Sequence, residues 1–167
     1  MNDFDITEAL IGLAEIAMAT AGFSGFVIAL HGNNRLYNQR LVFDLILGVF
    51  VHTLGAVFFA LLALNLLNAL GPQTAWHVTT MLHLGIGAIL GLLVFAGGGL
   101  AALHKLPLWF NLYHLLLLCS QLGFLVLNLL FEEPQSWPVL AALSINILVA
   151  ISFFIYLVIS LIKVEDA

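Results

Sequence analysis

The chain has 167 residues, 63% hydrophobic and 8% charged, with a net charge of −5 and a mean hydropathy of +1.15. Soluble domains carry about a quarter charged residues, so this composition excludes a water-soluble fold, and an excess of Asp and Glu over Lys and Arg argues against a nucleic-acid partner. The single cysteine, Cys119, can form no intrachain disulfide, and the acidic start (Asp3, Asp5, Glu8) is unlike a cleaved secretory signal.

A membrane-crossing helix needs about 20 mostly apolar residues. Segments at about 6–30, 41–70, 78–103, 108–131 and 137–162 meet that length. The expectation is one all-α domain over 1–167, a polytopic transmembrane helix bundle of five spans. The alternative is four spans plus a re-entrant or interfacial first helix, because Glu8 and Glu15 fall within the first segment. Strand-like alternation is lacking, which argues against a β-barrel. The connections are short and make successive helices antiparallel neighbours. Arg35, Arg40, Lys105 and Lys163 all fall on one side of this arrangement. The positive-inside rule then places the N-terminus outside and the C-terminus in the cytoplasm. Trp76 and Trp137 are expected at the outer interface, and Trp109 at the inner one.

In the first segment, residues seven apart drift only about 20° around a helix. Glu8, Gly12, Glu15, Ala19 and Gly22 therefore share a face. Small residues allow close helix contact, so the segment reads as an inner, tightly packed helix with Glu15 pointing into a groove. A mid-membrane carboxyl either hydrogen-bonds a neighbouring helix or marks a proton or cation path. Glu15, Ile16, Ala17, Ala21, Gly22, Phe23, Ser24, Gly25, Ala29 and Leu30 form a pattern that resembles the first helix of uncharacterised small bacterial integral membrane proteins. The resemblance covers this one helix. It implies a bacterial membrane protein and brings no activity with it.

The second segment carries Asp44, one turn from Arg40 and expected to pair with it, and His52 deeper in the span. The third has His83 and the stripe Gly87, Gly91 and Gly98, a helix-contact pattern within or between subunits. Gly22 and Gly25 are read the same way. The fourth gives the clearest pattern: Asn111, His114, Gln121, Asn128 and Glu132 follow spacings of 3, 7, 7 and 4 and align as one polar seam. Such a seam is a polar zipper between helices or the wall of a wet path. The fifth segment, with Asn146 and scattered Ser, reads as mostly lipid-facing.

No phosphate loop, zinc-ligand spacing or Ser-His-Asp set is visible, so no catalytic or metal site is expected and the chain is not read as an enzyme. The leading expectation is an oligomeric proton or small-ion channel or transporter subunit in the bacterial inner membrane. Its polar pathway runs through Glu15, His83, Gln121, His114, His52 and Asn128. A structural or signalling membrane partner without transport is one alternative. The other is a redox protein with a b-type haem between His52 and His114. The partners expected are the lipid bilayer and further copies of the chain.

Overall fold

Inside hydrocarbon every backbone N–H and C=O needs a partner within its own segment, so the apolar stretches have little choice but to form helices. The computed structural model describes residues 3–31, 39–96 and 106–165, with side chains placed for 5–29, 42–92 and 106–160. Five helices occupy them: α1 (Asp3–His31), α2 (Gln39–Leu70), α3 (Pro72–Ala96), α4 (Leu108–Leu130) and α5 (Ser136–Glu165). Each is long and apolar enough to cross a membrane, and no strand occurs among the described residues. Gly98, the Gly97–Gly99 run, Arg35, Lys105 and the side chains of Arg40 and Lys163 lie outside the described residues. The expected Arg40–Asp44 pair lies outside them too.

Gly71 alone separates α2 from α3. It adopts φ +77°, the left-handed conformation that glycine enters without steric cost, and its carbonyl accepts the first bond of the next helix from Ala75 N at 3.0 Å. Pro72 takes the first helical position, where its missing N–H costs nothing. The segment 71–77 is therefore not the connection expected from sequence, and α3 starts six residues earlier than Val78. Trp76 is drawn inward with it. Only 2% exposed, it packs with Ile6, Leu10, Phe59 and Leu143 rather than standing in the interfacial belt.

α5 is the centre of the bundle. It packs against α1, α2, α3 and α4, whereas α1 packs chiefly on α2 and α5. This reverses two expectations. The fifth helix is not lipid-facing: Val139, Ala142, Leu143, Val149, Ala150 and Leu157 are all sealed in the core. The first helix is the least buried of the five spans, so it is a peripheral helix and not an inner one.

Apolar clusters close the interior at both ends. At the Pro72 end, Ile6, Leu10, Phe59, Trp76, Val139 and Leu143 pack together. At the other, Leu45, Leu106, Phe110 and Leu157 do so, with Phe153 and Tyr156 against them. Polar side chains are held between these clusters.

Candidate functional site

Polar groups within a bundle find partners on neighbouring helices because lipid offers none. Asn146, on the central helix α5, does this twice. His52 of α2 donates from Nδ1 to its Oδ1 at 3.1 Å, and its Nδ2 donates to His83 Nε2 of α3 at 3.3 Å. Gln121 of α4 donates from Nε2 to the same His83 nitrogen at 3.0 Å. One amide and one imidazole thus tie four helices into a layer. The His83 ring lies flat on Phe59, with centroids 4.0 Å apart and planes 11° apart. Asn146 and His83 are 5% and 4% exposed.

Six residues further along α5, a rise of about 9 Å, Ser152 faces His114 Nε2 at 2.9 Å and the Val149 carbonyl at 2.7 Å. His114 donates from Nδ1 to the Phe110 carbonyl at 2.8 Å. Its ring sits among Phe110, Tyr113 and Phe153. Phe153 also stacks on His52, with centroids 6.1 Å apart, so one benzene ring touches both imidazoles. Gly48 of α2 makes room for it: a Cβ at that position would meet three Phe153 ring carbons at 3.0 Å.

Toward the Pro72 end of the bundle, Asn128 is fully buried. It donates to Thr80 Oγ1 at 2.8 Å and accepts from the Gln135 backbone N–H at 2.8 Å. A cleft of about 240 Å³ opens beside this pair, lined by Trp76, Glu133, Gln135 and Ser136 among others. Asn128→Ala should destabilise the bundle by about 1 kcal/mol, near the low end for stranding buried polar partners. That exceeds the average interhelical hydrogen bond in a bilayer, about 0.6 kcal/mol. Denaturation of the variant in mixed micelles checks it.

The structure therefore brings together His83, Gln121 and His52, with Asn146 as their hub. His114 stands one layer away and Asn128 one layer in the opposite direction. The seam read on α4 has His114, Gln121 and Asn128 on its buried face, while Asn111 is half-buried and Glu132 exposed. Glu15 does not join them. Its side chain is exposed on the outer face of α1, as is Glu8, because Ala14 and Ala17 are the residues that turn toward α2 and α5. Gly22, Gly25, Gly87 and Gly91 do not pack within the chain, since a Cβ added at any of them meets nothing within 4 Å. Among the described glycines the close-packed one is Gly48, which spacing alone did not single out. Asn146 was visible in the sequence as the lone amide of an apolar segment. Its role as a bridge needed the helix neighbours to be known.

A haem between His52 and His114 does not fit these residues. Both nitrogens of His114 and Nδ1 of His52 are engaged, and Phe153 lies against both rings. Among the described residues no group of His, Cys, Asp and Glu could hold a metal ion. No protein family, curated protein or solved structure matches the chain.

Proposed function

We propose that this multi-span membrane protein passes protons, or another small cation, along the polar interior between α2, α3, α4 and α5. The observation that carries the reading is the Gln121–His83–Asn146–His52 chain, in which two imidazoles are linked by an amide inside an apolar bundle. Ionisable side chains in hydrocarbon are costly and mark ion or proton routes by default. Asn128 and the cleft beside Gln135 form one mouth, and His114 with Ser152 continues the path toward the other end. The cluster around Phe110, Phe153 and Leu157 closes that end, as hydrophobic constrictions close channels by excluding water. Reconstituted protein with a pH-sensitive dye inside the vesicles tests the reading. Flux equal to that of empty vesicles, with correctly assembled protein, overturns it.

A second reading is favoured by a specific observation. The side-chain bonds His52–Asn146, Gln121–His83, Asn146–His83, Asn128–Thr80 and Ser152–His114 each join two different helices. The same groups then serve as glue in a structural or signalling protein with no transport.

The protein is proposed to lie in the bacterial inner membrane with its N-terminus and the Gln135 mouth outside, following the segregation of Arg35, Arg40, Lys105 and Lys163. Single cysteines at Asn2 and Ala167, in a Cys119→Ser background, should label from opposite faces of the membrane. Labelling from one face removes the five-span topology.

Assembly as a homo-oligomer is supported by two outward features. Glu15 lies about 15 Å into the α1 span on an exposed face, where a carboxyl is costly to leave against lipid. Gly87 and Gly91, one turn apart, present an open, small-residue face on α3. The proposed occupant of both faces is a second copy of this chain. Gly87→Leu and Gly91→Leu should lower the oligomer mass measured in mild detergent, and an unchanged mass for both removes the α3 face from the interface.

A further inference from the structure

His83 uses one nitrogen twice. Its Nε2 accepts from the side-chain amides of Gln121 and Asn146, which leaves the ring proton on Nδ1. That Nδ1 is buried and makes no hydrogen bond, and the flat stack on Phe59 restrains the ring from turning to find one. One turn earlier on the same helix, Thr79 is fully buried, and its Oγ1 is likewise without a partner. Buried polar side-chain atoms are satisfied in the large majority of cases, by protein or by ordered water. Two unsatisfied atoms four residues apart on one helix are neighbours, with Cβ atoms about 5–6 Å apart. Polar groups on side chains so placed can reach one common oxygen through two hydrogen bonds of about 2.8 Å.

We infer that Thr79 Oγ1 and His83 Nδ1 form a binding site for a single internal water molecule. The chemistry selects the ligand. A protonated ring nitrogen cannot ligate a cation, and an apolar group would leave both atoms unsatisfied. If the amides of Gln121 and Asn146 turn over, their oxygens accept a hydrogen bond from a protonated His83 Nε2, and Nδ1 becomes an acceptor. Water is both donor and acceptor and suits either arrangement without moving. The inference deepens the proposed proton path and partly rests on it. Thr79 adjoins Thr80, which receives the hydrogen bond of Asn128, so the water stands between the cleft-side pair and the imidazole layer. It supplies the mobile proton carrier that an amide and an imidazole alone do not.

Histidine-selective ¹⁵N labelling in lipid bilayers, read by solid-state NMR with polarisation transferred from water protons, tests the site. His83 is assigned by its loss in His83→Gln. The expected result is rapid water transfer to His83 Nδ1 in the wild type, retention in Thr79→Ser, and a severalfold slower build-up in Thr79→Val. Unchanged resonances of His114 in both variants verify the fold. Water transfer to His83 as slow as to the apolar core, or as fast in Thr79→Val as in the wild type, overturns the inference. Flux plays no part in this readout. Water transfer without flux keeps the site and removes the path, and flux without water transfer does the reverse.

Discussion

Asn146→Leu is expected to reduce proton flux into vesicles by about tenfold or more, the largest loss among single substitutions in the interior. Leucine is larger than asparagine but shares its branching at Cγ and is readily buried, so the helix should still insert. What it removes is a side chain bonded to both His52 and His83. Stranding buried polar groups costs about 1–3 kcal/mol, and each 1.4 kcal/mol added to a transfer barrier is about tenfold in rate. Glu15→Gln should conduct like the wild type, because Glu15 lies on the outer face of α1, away from this chain of bonds. Equal flux in Asn146→Leu and the wild type would show that the amide carries no step. A loss in Glu15→Gln with Asn146→Leu unaffected would move the route to the outer face of α1.

The second large effect is expected at Gly48. Even the first carbon of a side chain there meets the Phe153 ring at 3.0 Å, and that ring touches His52 and His114. Gly48→Leu places further atoms where the ring lies. Overpacking of this kind costs about 1–3 kcal/mol, and here it also separates the two imidazoles from their shared neighbour. The thermal midpoint in lipid nanodiscs should fall, with a smaller fall for Gly48→Ala. Phe153→Leu combined with Gly48→Ala should recover part of the loss, since contacting residues are energetically coupled. Losses that simply add would mean that the two positions do not share space.

What the sequence made legible follows from what a bilayer makes expensive. Span number was readable because about 20 apolar residues have one use in a membrane. The faces of His114, Gln121 and Asn128 were readable because a polar group in hydrocarbon has to turn toward a partner. An apolar residue has no such obligation: lipid tails and helix neighbours suit leucine equally well. Hence nothing in the apolar run of α5 distinguished a central helix from a peripheral one, and the alanines that pack it, Ala142 and Ala150, look ordinary in a line of text. Small residues in α1 suggested an inner helix for the same reason. Spacing says that they share a face, not whether the face looks inward. Gly48 stood outside any repeated motif, and its neighbour is 105 positions away at Phe153. The early start of α3 was hidden by Pro72, which reads as a break until Gly71 is seen to make the whole turn.

The place of α5 in the chain has a consequence for how the molecule is made. The four helices that it joins precede it in the sequence, so they leave the ribosome first and enter the membrane without their common partner. His52 and His83 are synthesised long before Asn146, and His114 and Ser152 are likewise separated in time. Until α5 arrives, the imidazoles of His52 and His114 are without the side chains of α5 that they bond, which is a state that the membrane penalises. Insertion of α5 ends it in one step, by completing the apolar clusters and the polar layer together. Biogenesis thus has its commitment point at the fifth helix, and an intermediate stalled before it displays the polar groups by which quality control can recognise an unfinished bundle.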